Sequence, residues 1–234
     1  MKKSNIATLI VFLLLIPLTL FLGTKLSGRG YYITGTLIIV ELMIPFIMAF
    51  EGRKPQAREL VLVAVMCALA IAGRVVIPMP HFKAVFPIIL LSGIAFGPET
   101  GFMVGAISAF ASNFFYGQGP FTPWQMFAYG AGGMLAGFLF LRGWLPRKNW
   151  VMAIFGFLTT LFWIGPLLDL STVFLALRKF SITAMVGIFI SGFYVNVSQA
   201  ICTAVIMFLL GIPLLKKLDR VKIKYGMMEN HELR

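Results

Sequence analysis

The sequence predicts an all-α integral membrane protein, and two observations carry that prediction. Of its 234 residues 59% are hydrophobic and only 12% charged, with a mean hydropathy of +0.93, a balance that no water-soluble core absorbs. The apolar residues are also gathered into runs about as long as a bilayer is thick, a spanning helix needing roughly 17 to 25 of them, with short polar interruptions between.

Eight runs can be marked off, at 6–22, 33–50, 60–77, 84–96, 101–116, 124–141, 151–168 and 182–210. Lys2 and Lys3 precede the first as they would a secretory signal, but its length and the lack of a small-x-small cleavage pattern predict a retained helix. The second carries little polar content beyond Thr34, Thr36 and Glu41. Segment 51–59, which holds Arg53, Lys54 and Arg58 between Glu51 and Glu59, is the most polar inside the chain and predicts an architectural boundary. It sets two N-terminal transmembrane helices over 1–52 apart from a six-helix core over 53–218, with a basic tail over 219–234.

On the third run Ala64, Ala68 and Ala72 are spaced i, i+4, i+8 and so line one helix face. Apolar side chains gain little by leaving lipid for one another, so helices associate in a bilayer through the close backbone approach that small residues permit. The stripe marks a contact with another helix, inside this chain or on a separate subunit, and spacing alone does not choose between them. The fourth run is short and has Pro87 near its start and Pro98 just past its end, so it is expected to be partly embedded or broken. Gly101, Gly105, Ser108 and Ser112 on the fifth run, and Gly130, Gly133 and Gly137 on the sixth, form further small-residue stripes expected to pack the bundle itself. The seventh gives way to a polar stretch, 169–181, read as a loop. The eighth is too long to stand upright in a ~30 Å hydrocarbon layer and must tilt, kink near Gly187 or Gly192, or project beyond it.

The net charge of +12 is distributed as a membrane topology signal rather than as a nucleic-acid surface, since basic residues near span ends are held on the cytoplasmic side. With the N-terminus inside, Lys25, Arg29, Arg74, Lys83, Arg178 and Lys179 fall outside and the other fourteen of the 20 Lys and Arg fall inside. An even number of spans then places both termini in the cytoplasm of a multi-pass cell-membrane protein. Cys67 and Cys202 lie within predicted spans and read as small buried apolar groups, not as a disulfide or a metal site.

Candidate binding residues collect at the outer end. Between the fifth and sixth runs, Asn113 and Gln118 supply amides while Phe114, Phe115, Tyr116, Phe121 and Trp124 supply flat apolar faces, and Gly117, Gly119, Pro120 and Pro123 restrict the turn. That mixture suits a ligand with rings and polar edges; an interfacial aromatic belt uses the same residue types. On the last run Gly192, Asn196, Gln199 and Thr203 share a face, and two amides in hydrocarbon must meet a polar partner, water or a ligand, with Tyr194 and Asn196 nearest the outside. Arg74, His81 and Lys83 cluster around the first outer loop of the core, placed to pair with a carboxylate or phosphate; snorkelling is the other fate of Arg74 and Lys83, and a lone His81 makes no metal site.

The chain resembles the substrate-binding S components of energy-coupling factor (ECF) vitamin transporters, importers of the ABC type. The resemblance rests on the Ala64, Ala68, Ala72 pattern, on Phe96-Gly97-Pro98-Glu99-Thr100-Gly101-Phe102 with Gly105-Ala106, and on the segment from Ser112-Asn113-Phe114-Phe115-Tyr116 through Gln118, Pro120 and Trp124 to Met126; it covers 58–225. It implies a six-helix S-component core preceded by two extra helices, a vitamin held at the outer face by the loops after core helices one, three and five, and an alanine face docked on a transmembrane T subunit that couples to two cytoplasmic ATPases. Capture outside, rotation of the whole bundle in the bilayer and resetting by ATP hydrolysis elsewhere complete the implied cycle. The nearest likeness is to the cobalamin type. Arg74, His81, Lys83, Asn113, Tyr116, Gln118, Phe121, Trp124, Tyr194 and Asn196 are the expected substrate contacts.

No chemistry is expected of the chain itself, and no cofactor. It has no Gly-rich phosphate loop ending in Lys-Ser or Lys-Thr, so nucleotide work falls to partners. Glu41 is the one acid expected to sit deep, which disfavours an autonomous proton-coupled carrier. The rival reading is an integral membrane enzyme acting at the interface, for which His81, Glu99 and Asp169 are the available groups, without nucleophile–base or metal-ligand spacing.

Overall fold

A computed structural model of the chain describes residues 10–23, 30–52, 55–77, 81–177 and 181–225, and every regular element among them is a helix. In chain order these are α1 (Ile16–Gly23, entered through a π-turn at Val11–Leu15), α2 (Gly30–Gly52), α3 (Ala57–Val75), α4 (Val85–Phe96), α5 (Pro98–Tyr116), α6 (Thr122–Leu141), α7 (Asn149–Ala176) and α8 (Ile182–Lys224). Within the described residues α2, α6, α7 and α8 are long and apolar enough to cross a membrane, and the protein is a multi-pass membrane protein.

Glycine decides which helices form the centre. A Cβ on Gly93 of α4 would lie 2.0 Å from the Gly133 carbonyl oxygen on α6, one on Gly101 of α5 would lie 2.4 Å from the same oxygen, and one on Gly137 would lie 2.5 Å from the Pro98 nitrogen. Three helices thus meet main chain to main chain, the close approach that substitutes in lipid for a hydrophobic driving force. The small-residue stripes of the fifth and sixth runs pack the bundle, as expected. The short fourth run resolves as α4, only 12 residues and roughly 18 Å long, with Val85, Ile89, Leu90, Ile94 and Phe96 all buried. It is a complete helix inside the protein rather than a lipid-facing span. Gly97, at φ 101°, turns the chain so sharply that it alone separates the end of α4 at Phe96 from the start of α5 at Pro98.

Two sequence boundaries move. The expected loop at 169–181 is helical as far as Ala176, because its polar groups are satisfied without water: Ser171 and Thr172 donate to the Leu168 carbonyl (2.7 and 3.3 Å) and Asp169 accepts from Asn196 (2.7 Å). Asp169 is therefore a second acid at helix depth beside Glu41, to which Thr19 donates. Within α7, Pro166 has no N–H for the Phe162 carbonyl, and the helix passes the site in a π-turn, Thr160–Ile164, in which the Gly165 N–H reaches the Thr160 carbonyl. The other change is α8, which runs without a break past Gly187, Gly192 and Pro213 for 43 residues, roughly 65 Å, so that it projects and 219–224 are helix.

The other two contacts define the ends. At one, Arg147 donates to the Ile94 carbonyl that closes α4 (2.9 Å) and pairs with Asp219 on α8 (3.4 Å). At the other, α2 leans on the core through Gly35, where an added Cβ would touch Phe174 at 3.0 Å, and through Thr36, which accepts from the Trp124 indole N–H (3.4 Å).

Candidate ligand-binding site

Helices that alternate in direction bring to one end the last turns of α3, α5 and α7 and the first turns of α4, α6 and α8, with the turn 117–121 between α5 and α6. Arg74, in the last turn of α3, is the cation around which this end is organised. It donates to Ser112 Oγ and to Asn113 Oδ1 (3.0 Å), and its guanidinium lies over the rings of Tyr116 (5.0 Å) and Tyr129 (5.7 Å). The Tyr116 hydroxyl donates in return to the Arg74 carbonyl (2.8 Å). All these partners are hydroxyls, amides and ring faces, so no carboxylate neutralises Arg74 among the described residues.

Asn113 extends the net across the bundle. It is fully buried, accepts from Arg74, and spends its own N–H groups on Thr122 Oγ1 (3.1 Å) and Gln125 Oε1 (2.8 Å). Thr122 is used on both sides: its hydroxyl accepts also from the Gly119 N–H (3.2 Å) and donates to Gln118 Oε1 (2.9 Å), whose Nε2 closes on the Phe110 carbonyl (2.9 Å). The turn at 117–121 is thus pinned from beneath, with Gly117 at φ 96° allowing its direction. Above the pinned net, Tyr116 is 52% exposed and Phe114 and Phe115 more so, and the rings in reach of the Arg74 guanidinium are those of Tyr116 and the buried Tyr129.

A second polar group stands apart from the first. The Lys83 backbone N–H donates to Gln199 Oε1 (2.8 Å), its carbonyl accepts from Cys202, and its ammonium is bound to the Ile77 carbonyl. His81, at φ 58°, is exposed and sets its ring edge-on to Tyr194 at 6.4 Å. The cluster of Arg74, His81 and Lys83 expected from sequence is therefore divided: Arg74 turns to α5, while 81–83 turn to α8. Asn196 belongs to a third group, its amide on Asp169, and the pair interlocks across two glycines, since a Cβ on Gly192 would strike Asp169 (2.3 Å) and one on Gly165 would strike Asn196 (2.5 Å).

Trp124 is 4% exposed, stacked on Phe174 at 5.2 Å with its N–H on Thr36, so it braces α2 against the first turn of α6 rather than standing in the open mouth with Tyr116. Phe121 is half-buried over Gly119. Glu99 sits at the opposite end of α5 from Asn113, so His81, Glu99 and Asp169 do not assemble. Among the described residues no three His, Cys, Asp or Glu side chains gather as a metal site.

On α3, Ala64, Ala68 and Ala72 are all exposed, while Leu62, Val63, Met66, Cys67 and Ala70 are buried on the other side. Among the described residues no helix covers the alanine face.

A family model described as "ECF-type riboflavin transporter, S component" matches residues 54–220, most of the chain. The chain belongs to this family. No curated protein matches it, and no solved structure does. The chain is accordingly the substrate-binding membrane subunit of an ECF transporter, a family that implies a T subunit and ATPases as partners. Within the S component, sequence reasoning found Arg74, Asn113, Tyr116 and Gln118, which the fold does bring together. It missed Thr122, Gln125 and Tyr129 as partners, although their i, i+3, i+7 spacing along α6 from the loop end was there to be read.

Proposed function

We propose that this S component captures a flavin-class vitamin at the end where α3, α5 and α6 meet, and hands it on by docking its alanine face on the T subunit. The observation that carries this reading is Arg74: a cation held by amide, hydroxyl and ring neighbours, at the rim of exposed aromatic faces, in a family whose description names riboflavin. A flavin presents a flat tricycle with carbonyl and imide edges and a polyhydroxyl chain. The rings of Tyr116, Phe115 and Phe121 suit the tricycle; Arg74 and Gln118 suit its carbonyl edge; Lys83, His81 and Tyr194 are assigned to the polyol in this reading, Lys83 by exchanging the Ile77 carbonyl for a hydroxyl. Asn113 holds Arg74 from below, while Trp124 joins these groups only by leaving Thr36 and Phe174, and Asn196 only by leaving Asp169. The cobalamin likeness has no support in the family match, and a flavin is the reading we adopt in its place. No bond is made or broken in this role.

The test is direct. Purified protein, denatured and analysed by mass spectrometry, is expected to release a flavin in near-equimolar amount, and added riboflavin is expected to lose fluorescence on binding. Release of a corrin, or no response to riboflavin in calorimetry, overturns the substrate assignment.

The binding end faces outward in this reading, with both termini in the cytoplasm. A cysteine introduced at the exposed Pro120 in whole cells is expected to react with an impermeant maleimide, against a low background because Cys67 and Cys202 are buried. Labelling only after permeabilisation reverses the orientation.

A further inference from the structure

We propose that the cleft between α2 and the core is a binding site for one amine-bearing, zwitterionic phospholipid of the ethanolamine type. The cleft is a cavity of about 470 Å³, in the size range of small-ligand sites, and sits at the end of the bundle that carries Arg147. Its walls are Pro45, Phe46 and Ala49 of α2, Phe102 of α5 and Phe138 of α6, all apolar, with Glu99 the one charged group among them. Phe46 and Phe102 stack at 4.8 Å and close its floor.

The rim tells which amphiphile fits. Glu99 stands in the first turn of α5, at the end of a helix where a carboxylate is favourably placed, and it is only half-buried. An ion there, beside a trough of phenylalanine and proline, asks for a cation attached to something greasy. The matching positive charge is Arg142, one residue beyond α6, whose guanidinium lies 4.0 Å above the ring of Phe138, itself a wall of the cleft. Trp144 packs edge-on against the same ring at 5.5 Å, in the manner of an interfacial anchor. An acyl chain in the trough would leave its phosphate within reach of Arg142 and its ammonium within reach of Glu99. A purely anionic lipid would use Arg142 and meet Glu99 as a like charge. A choline headgroup has no N–H to donate to the carboxylate.

The site owes one wall to α2, so it exists only because helices precede the six-helix core, and it is independent of the vitamin assignment. The full-length protein is exchanged into micelles with equal amounts of phosphatidylethanolamine, phosphatidylcholine and phosphatidylglycerol, and the lipid retained is read by native mass spectrometry. One phosphatidylethanolamine per chain is expected, retained roughly fivefold over each competitor, the scale that an exposed ion pair supports. Glu99→Gln is expected to erase the preference over phosphatidylcholine, and Ala49→Trp, which fills the trough, to remove the bound lipid. Equal retention of all three lipids by the unmodified protein means an annular chain only and overturns the proposal without any variant being needed. A preference for phosphatidylglycerol, or a phosphatidylethanolamine preference unchanged in Glu99→Gln, overturns it as well.

Discussion

Ala68→Trp is expected to abolish co-purification with the T subunit and its ATPases, a loss of at least about a hundredfold, while the isolated protein still binds its vitamin with unchanged affinity. Ala64, Ala68 and Ala72 face outward on α3 with Val61, Val65 and Leu69 beside them, so in the free protein this side meets lipid. An indole there disturbs nothing inside the bundle, and the fold has no reason to fail. Docking is different. Helices in a bilayer associate by close packing of small residues, without a hydrophobic gain to offset a gap, and a tryptophan at the centre of the stripe holds the partner several ångströms away. The measurement is a pull-down with tagged T subunit, paired with calorimetry on the same preparation. A complex that forms normally with Ala68→Trp would remove this face from the docking surface. A variant that loses ligand binding too would mean that the residue matters to the fold.

Asn113→Ala is the second large effect, and it acts on the vitamin. The substitution removes one of the two side-chain acceptors that hold Arg74 and strips a partner from Thr122 and from Gln125, at a position that is fully buried. A buried polar group left unsatisfied costs about 1–3 kcal/mol. With roughly 1.4 kcal/mol to each factor of ten, affinity is expected to fall by about 10- to 100-fold, with a melting temperature lower by a few degrees. Asn113→Asp separates position from charge: it keeps an acceptor for Arg74 but gives that cation a carboxylate of its own. Its affinity is expected to fall as far as that of Asn113→Ala, because the neutralised guanidinium no longer seeks the ligand. Calorimetry on the two variants decides, and wild-type affinity in either would shift the site toward Lys83 and Gln199.

What could be read from the sequence, and what could not, divides along a physical line. Hydropathy located the helices because lipid imposes the same demand on every span, and the glycine stripes of α5 and α6 declared themselves because only glycine permits a contact as close as that of Gly101 with Gly133. Segment 169–176 was misread for the converse reason. A lone carboxylate reads as a group that seeks water until its partner is known, and Asn196 is 27 residues away. The same holds for the divided cluster of Arg74, His81 and Lys83: nearness in sequence suggested one group, but the direction of each side chain is set by α5 and α8, which no local pattern encodes. The alanine stripe is a sharper case. Its spacing is like that of the glycines, and only the absence of a facing helix among the described residues shows that it is open.

The main-chain contacts among α4, α5 and α6 have a mechanical corollary. Side chains that interlock can hop between rotamers and let one helix slide along another, whereas a carbonyl seated against a glycine Cα has no second seating to move into. These three helices form a keel that either travels whole or stays put. Any hinge the protein possesses must run along its other flank, where the N-terminal third of α8 stands with Ile182, Val186, Ile190 and Phe193 uncovered.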